Sequence, residues 1–284
     1  MNSLLPFLGA IFQSVSFTLD KAILSLKKTG YKTYLGLGFP LIFFFDLIIF
    51  LIFRPPVSAA LFAGSLIWVF LGLIGTSIGT NILYYRALAK DTLSELLMLG
   101  LLTRLPVIIF SALTFPDERN ALLIILALAS SLAVIWSHWE NHRFEIKKDT
   151  LALLFWFLLV VPLGAVLSKI ILGSWSPIVL ALFQDGTVAL ILGWLYIKES
   201  VKISRGAILF LLLTNLFSSA GWILYYVSIQ RAGIIYTGLL FSLQPLLTYF
   251  AAVVFLKEGL NRKKVLAFLI VLGAVGVAQI LKPF

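Results

Sequence analysis

The sequence predicts an all-α, polytopic membrane protein with ten transmembrane helices arranged as two inverted five-helix repeats. Three observations predict this fold. The chain is 61% apolar with a mean hydropathy of +1.07, it contains ten long apolar segments, and several short motifs recur 139 to 141 residues further along. Water-soluble domains are much less apolar than this. The predicted surroundings of the chain are therefore a lipid bilayer.

Each of the ten apolar segments is long enough to cross roughly 30 Å of hydrocarbon as a helix. They comprise residues 4–24, 34–53, 59–85, 92–114, 120–138, 151–172, 177–197, 206–229, 234–256 and 264–281. The connections are short, so little chain is left for a soluble catalytic domain. The first segment contains Asp20 and Lys21 and lacks a basic leader, so we predict a permanent helix rather than a cleaved signal peptide.

The two halves of the chain repeat the same short motifs. Leu83-Tyr84-Tyr85 recurs as Leu224-Tyr225-Tyr226, Arg104-Leu105-Pro106 as Leu243-Gln244-Pro245, and Phe115-Pro116-Asp117-Glu118 as Phe255-Leu256-Lys257-Glu258. Self-similarity at one spacing indicates duplication of a structural unit. We therefore predict a first five-helix repeat over 1–138, a polar linker over 139–150 and a second repeat over 151–284.

The basic residues predict how the chain is oriented. The connections after predicted helices 1, 3, 5, 7 and 9 carry 15 of the 22 Lys and Arg residues, whereas the opposite side carries 4. Lys and Arg in short loops favour the cytoplasmic side. We therefore expect a multi-pass protein of the inner (plasma) membrane with both termini external. Five helices per repeat then place the second repeat in the opposite orientation, as in many secondary transporters.

The repeat, together with the paired prolines Pro106 and Pro245 and the paired glutamates Glu118 and Glu258, resembles the drug/metabolite transporter superfamily. Within it, the chain is most similar to the EamA-like ten-helix transporters over essentially its whole length. The resemblance implies that helices 1, 3, 4, 6, 8 and 9 surround a central cavity and that helices 5 and 10 form a scaffold. It does not select among amino acids, nucleotide sugars, organic anions and choline-like cations.

We predict an alternating-access carrier of a small polar metabolite that is amino-acid-like or an organic anion. A passive channel and a lipid scramblase or scaffold are the alternatives. The expected partners are the small-molecule substrate and the lipid bilayer, with no nucleic acid, no cofactor, no metal and a monomeric state. The net charge of +10 is explained by membrane topology rather than by nucleic-acid binding.

An enzyme is disfavoured, and we predict no catalytic residues. Residues 75–79 match the G-x-S-x-G pattern of serine hydrolases, but that pattern needs a strand-to-helix elbow, and these residues lie inside a predicted helix. The histidines His138 and His142 lie at the end of the fifth helix and in the linker, far from this serine. The absence of cysteine excludes a thiol nucleophile.

Six charged residues lie within the apolar segments, where each costs roughly 2.5–3.5 kcal/mol to insert. They are Asp20, Lys21, Asp46, Arg104, Lys169 and Asp185. Arg104 lies near the middle of its segment, too deep to reach the membrane surface easily. We predict that it binds a substrate anion through its planar fork, or that it pairs with one of the aspartates.

The lysines and aspartates of the two repeats form a second set of candidates. We predict an intramembrane pair between Lys169 and Asp185, because their helices are joined by a short loop and their depths are similar. The equivalent pair of Lys21 and Asp46 is expected to be weaker or absent. The alternatives are that the lysines extend to the interface and that the aspartates carry a proton.

The remaining candidates are polar and aromatic side chains of the helices expected around the cavity. For substrate binding they are Gln13, Trp68, Asn81, Asn215, Trp222, Tyr225, Tyr236 and Gln244. An apolar wall with a few directed polar groups is typical of a small-molecule site. Tyr and Trp also form belts at membrane interfaces, which is the alternative for the aromatic residues. Pro106 and Pro245 are predicted hinges, since proline loosens a membrane helix.

The topology is tested by reporter fusions after Phe284. If both termini are external, an alkaline-phosphatase fusion is active there and a fluorescent-protein fusion is dark, because each reporter folds on only one side. The opposite pattern would reverse the orientation of every loop.

Overall fold

The computed structural model describes residues 4–26, 29–57, 62–90, 93–138, 148–200, 205–256 and 261–281. Within these ranges the chain is helical apart from turns and short connections, and no strand occurs. The predicted all-α class is therefore confirmed for the described part of the chain.

Fourteen α-helices are formed by the described residues. They are α1 (Leu4–Leu24), α2 (Tyr31–Phe53), α3 (Leu66–Leu88), α4 (Leu93–Leu102), α5 (Arg104–Thr114), α6 (Ala121–His138), α7 (Lys148–Leu159), α8 (Val161–Leu172), α9 (Pro177–Leu195), α10 (Ile197–Ser200), α11 (Arg205–Ala232), α12 (Ile234–Phe241), α13 (Leu243–Leu256) and α14 (Arg262–Leu281). A short 3₁₀ turn, Pro116–Glu118, follows α5.

Seven of the described helical segments are long and apolar enough to cross a membrane, and there are eight if α7 and α8 count as one bent span. Two shorter apolar helices, Gly100–Thr114 and Ala121–Ser137, overlap the other two predicted spans. Many large apolar side chains face outward, for example Leu190 at 77% and Ile280 at 81% exposure. The chain is a multi-pass membrane protein; the count of ten spans stays a prediction.

Proline marks two interruptions at corresponding places in the two halves. The helix break at Thr103 precedes Pro106 by three residues, and the break at Ser242 precedes Pro245 by three residues. Proline has no N–H, so the carbonyl four residues earlier loses its helical partner. In both cases that carbonyl belongs to the last residue before the break. The predicted hinge prolines therefore lie beside real interruptions, and their movement stays a prediction.

A third interruption separates α7 from α8 in the second half. The helix axes on either side of Val160 differ by 42°. Pro162 follows at the start of α8. The same loss of a backbone hydrogen bond explains this bend.

Helices of the first half pack mainly against helices of the second half. The main contacts join α1 to α11, α2 to α9, α3 to α7 and α8, and α6 to α14. Glycines permit the closest approaches: a Cβ on Gly221 would lie 2.8 Å from Gln13 Cγ, and a Cβ on Gly186 would lie 2.9 Å from Phe43. Small residues at helix crossings are the usual solution in membranes. The two halves consequently form one interlocked body within the described residues.

The contact between α3 and α7 depends on one glycine. A Cβ on Gly79 would lie 2.3 Å from the Trp156 ring, whereas nothing lies within 4 Å of a Cβ on Gly75 in the same helix. Gly79→Ala should therefore destabilise the protein by about 1–3 kcal/mol through overpacking. Gly75→Ala is the matched control and should be neutral or stabilising by up to about 1 kcal/mol. Thermal unfolding in one detergent measures both, and equal effects would contradict the packing explanation.

Candidate functional site

A central cavity of about 300 Å³ lies between the two halves of the helix bundle. Its wall contains side chains from α1 to α5 and from α7, α8, α9, α11 and α13. The polar lining residues are Gln13, Thr76, Ser77, Thr80, Asn81, Tyr84, Tyr85, Thr103, Arg104, Ser168, Gln184, Asp185, Ser218, Tyr225, Tyr226 and Gln244. Most of the remaining lining is aliphatic or aromatic. Such a wall suits a small ligand with a few polar groups.

Arg104 opens α5 and lines this cavity. Its Nη1 lies 3.8 Å from the position that a Cβ on Gly238 would occupy. The guanidinium therefore lies against α12 at a position that has no side chain. Tyr225 of α11 is a titratable neighbour of Arg104, and both side chains line the cavity. Within the described residues no carboxylate forms an ion pair with Arg104. Its predicted alternative role as a partner of an aspartate is therefore wrong.

Several hydrogen-bonding groups at the cavity wall have no protein partner. They include the side-chain amide nitrogens of Gln13 and Gln244 and the hydroxyl of Tyr84. Both glutamines are only 4% exposed. A buried polar group without a partner is costly, so such groups require an explanation. Together with Arg104 they give the cavity lining hydrogen-bond donors that no group in the described part of the chain accepts.

Three aromatic side chains of α11 form a continuous wall along the cavity. The ring centroid of Trp222 lies 5.3 Å from that of Tyr225 and 6.0 Å from that of Tyr226. The Tyr226 hydroxyl donates to Gln184 Oε1 at 2.9 Å. Asn81 also lines the cavity, and its amide nitrogen donates to the Ser77 carbonyl at 2.9 Å. Six predicted binding residues thus reach the cavity, namely Gln13, Asn81, Arg104, Trp222, Tyr225 and Gln244.

Three predicted binding residues do not line the cavity. Trp68 is 73% exposed on the outer surface of α3. Asn215 is fully buried and donates to the Leu211 carbonyl of its own helix at 2.6 Å. The Tyr236 hydroxyl donates to Gln279 Oε1 at 2.6 Å. These three residues lie outside the cavity because residue type and depth do not determine which face of a helix meets it, and their part in substrate binding stays a prediction.

The predicted pair of Lys169 and Asp185 is also wrong. Lys169 Nζ instead lies 2.5 Å from Asp117 Oδ2 and 2.6 Å from Glu118 Oε1. Asp185 instead interacts with the carboxyl group of Asp46 on α2. The lysine extends toward its own end of the helix, where the turn after α5 supplies two carboxylates.

Glu118 also holds the start of α12. Its Oε1 accepts the backbone N–H of Ile234 at 2.6 Å, and its Oε2 accepts that of Ile235 at 3.1 Å. The first N–H groups of a helix lack helical partners and carry partial positive charge, so a carboxylate is favourable there. Gly233 has φ of 93°, and a Cβ on it would lie 2.5 Å from Glu118 Oε1. We call this arrangement of Asp117, Glu118, Lys169 and the α12 N-terminus the Glu118 junction.

The remaining embedded charges have defined surroundings. Lys21 Nζ donates to the Leu88 carbonyl at 2.8 Å. Asp46 is fully buried and accepts from the Ser219 hydroxyl at 2.5 Å. The expectation that Lys21 and Asp46 pair weakly or not at all agrees with these partners.

Sequence reasoning missed the network around Asp20. This fully buried carboxylate accepts hydrogen bonds from the hydroxyls of Tyr34 at 2.5 Å, Tyr85 at 3.1 Å and Thr214 at 2.6 Å. It thereby joins α1 to α2, α3 and α11. Tyr85 belongs to a repeated motif, which was the available signal, but nothing in the sequence identified its partner.

The serine-hydrolase pattern has a structural explanation. Residues 75–79 lie inside α3, and the Ser77 hydroxyl is within 3.4 Å of the amide nitrogens of Asn81 and Gln184. No strand-to-helix elbow is present there, which the pattern requires. His142, the side chain of His138, Glu258 and the 139–147 part of the predicted linker lie outside the described residues.

Comparison with solved structures shows that the fold of the chain is shared with another protein. One solved structure, titled "Crystal structure of protein", has 17% sequence identity and a TM-score of 0.79, and the match covers 99% of each chain. At this identity the likeness shows a shared fold alone. No curated protein sequence matches the chain significantly. The chain therefore shares the fold of this solved structure over almost its whole length.

A family model matches the second half of the chain. Residues 150–279 are similar to the EamA-like transporter family. This match agrees, over these residues, with the resemblance drawn from the repeated motifs.

The Glu118 junction predicts different roles for its two carboxylates. Glu118 is 4% exposed and binds both Lys169 and the α12 backbone, whereas the Asp117 side chain is 68% exposed. Glu118→Gln should therefore destabilise the protein by about 1.5–3 kcal/mol, the range for hydrogen bonds to charged groups. Asp117→Asn, the matched control, should cost less than about 1 kcal/mol because exposed ion pairs are weak. Thermal unfolding of both variants measures this, and a larger effect of Asp117→Asn would refute the assignment.

Proposed function

We propose that the chain is a secondary transporter that carries a small polar metabolite with an anionic group through the central cavity. The observation that supports this most strongly is Arg104, a cavity-lining arginine without an ion pair among the described residues. A guanidinium in such surroundings needs water, a carboxylate or a ligand. Its planar fork matches a carboxylate or phosphate through two parallel hydrogen bonds.

The unpartnered donors elsewhere in the cavity lining support the same ligand chemistry. The amide nitrogens of Gln13 and Gln244 and the hydroxyl of Tyr84 offer hydrogen bonds that no protein group accepts. A ligand rich in acceptor oxygens satisfies them. The aromatic wall of Trp222 and Tyr225 adds apolar contact area and excludes water. An organic anion or an amino-acid-like metabolite combines these features.

In this proposal transport proceeds by alternating access. The helix breaks at Thr103 and Ser242 provide places where helix segments can change direction without unfolding. The Glu118 junction ties α5, α8 and α12 together at one end of the bundle, and it acts as the closed barrier at that end. The cavity is then open to one side at a time.

The proposal includes ten membrane crossings in two inverted repeats. The first predicted span of each half contacts the third predicted span of the other half, since α1 packs on α11 and α3 packs on α8. Such reciprocal contacts are expected for repeats related by a two-fold axis in the membrane plane. The carrier is expected to act as a monomer in the inner membrane.

The role of Arg104 is tested by two substitutions. Arg104→Gln should reduce saturable uptake into proteoliposomes at least about tenfold, because losing a charge-assisted bidentate contact costs more than about 1.4 kcal/mol. Arg104→Lys should retain part of the activity, since a point charge replaces only part of the fork. The uptake substrate is found by a thermal-shift screen of the purified protein against a metabolite panel.

A surface arginine serves as the control for these variants. Arg54 is exposed at the end of α2, so Arg54→Gln should leave uptake unchanged. If Arg104→Gln prevents accumulation of folded protein while Arg54→Gln does not, Arg104 is structural and the proposed anchor is wrong. Uptake that neither saturates nor is competed by unlabelled substrate would instead indicate a passive channel.

A further inference from the structure

Two carboxyl groups meet at the contact between α2 and α9. Asp46 is fully buried on α2, Asp185 is 8% exposed on α9, and their carboxyl groups interact across the contact between these two helices. The two residues are 139 positions apart, which is the spacing of the sequence repeat. The duplicated unit has therefore placed the same acidic residue on both sides of one helix contact.

The described neighbours of this pair supply no cation. Ser219 donates to Asp46 Oδ1, and the buried Asp46 Oδ2 receives no hydrogen bond from any donor group of the described residues. The other ionisable groups on the described elements packed around α2 and α9 are Asp20, Tyr31, Lys32, Tyr34, Tyr84, Tyr85, Arg86, Lys169, Tyr196, Lys198, Glu199, Tyr225, Tyr226 and Arg231. Within the described residues no ion pair joins any of these cations to Asp46 or Asp185. Tyr226 acts electrostatically on the pair, but its hydroxyl donates to Gln184.

A hydrogen bond between two carboxyl groups requires a proton on one of them, because an ionised carboxylate only accepts. Two buried carboxylates in contact also repel each other when no counter-ion is present. Asp185 lines the central cavity, beside Gln184 and Ser77, so a proton leaving the pair can reach any water in that cavity. The two buried carboxyl groups can therefore hold a proton, and Asp185 gives that proton access to the central cavity.

We propose that Asp46 and Asp185 form a proton-binding site that exchanges one proton with the cavity and couples this exchange to movement of α2 against α9. In the exchange, the carboxyl O–H bond of the pair breaks, the proton passes to a water oxygen, and the pair changes from one negative charge to two. Repulsion between the two carboxylates then favours separation of α2 from α9. The coupling to movement rests on the proposed carrier function, whereas the proton site does not.

The proton site is tested by infrared spectroscopy on the purified protein in lipid nanodiscs. The wild-type chain should show the carbonyl stretch of a protonated carboxyl group at pH 7, and this band should disappear as the pH is raised. Asp46→Asn and Asp185→Asn should each abolish the band, because an asparagine amide mimics the protonated member and leaves its partner ionised. Asp117→Asn, which changes an exposed carboxylate, should leave the band unchanged.

The wild-type titration needs no variant and decides the question if the variants fail to fold. If the wild-type protein has no such band, or if the band persists in both asparagine variants, the proton site is refuted. A substrate-uptake assay that fails does not affect this readout, so the failure of the carrier proposal is distinguishable.

The coupling is tested by spin labels, which the absence of native cysteine makes straightforward. Ile52→Cys on α2 and Leu190→Cys on α9 are at positions 69% and 77% exposed to the outside. The distance between labels at these positions should change between pH 5 and pH 9 in the wild-type background and become independent of pH in Asp185→Asn. An unchanged distance in the wild-type background would refute the coupling.

Discussion

Hydrocarbon offers no hydrogen bonds, so every polar group inside this helix bundle depends on the chain itself for a partner. Most internal groups of the described chain are satisfied in this way. Asp20 has three hydroxyl donors, and the Ser14 hydroxyl contacts Thr248 at 2.6 Å. These bonds join α1 to its neighbours α2 and α3 and, through Thr214 and Thr248, to α11 and α13 of the second half. The same constraint gives meaning to three of the exceptions, because the unpartnered polar groups of Gln13, Tyr84 and Gln244 line the central cavity, where a ligand can bind them.

The sequence predicted the class of fold well because it depends on hydropathy over long windows. Each of the ten predicted apolar segments coincides with helix in the described residues, and the repeated prolines lie beside real breaks. Pairing was predicted poorly. Lys169 and Asp185 have similar depths, yet the lysine lies on the side of α8 that faces Glu118. Trp68 and Asn215 lie outside the cavity for the same reason. Which face of a helix meets the cavity depends on the neighbouring helices, and the sequence does not identify them.

Glu118 shows how a motif can be recognised without its role being deduced. Its place after the fourth apolar segment contributed to the family resemblance, but the helix that it caps lies more than a hundred residues away in the chain. The requirement for glycine at position 233 follows from that contact, because a side chain there would occupy the position of the carboxylate. Long-range capping of this kind combines backbone geometry with charge, and neither is visible in a hydropathy pattern.

The two halves differ in a way that separates shared mechanics from ligand recognition. Some positions at which both halves keep the same residue, such as Pro106 with Pro245 and Asp46 with Asp185, lie at helix breaks and at the contact between α2 and α9. The repeated tyrosines Tyr84 and Tyr225 instead line the cavity. Arg104 has no basic counterpart, because the equivalent motif reads Leu243-Gln244. A symmetric pair of anion sites would need the same cation twice. Since this cation occurs once, the ligand site that we propose is one-sided, whereas the aromatic wall of the cavity receives tyrosines from both halves.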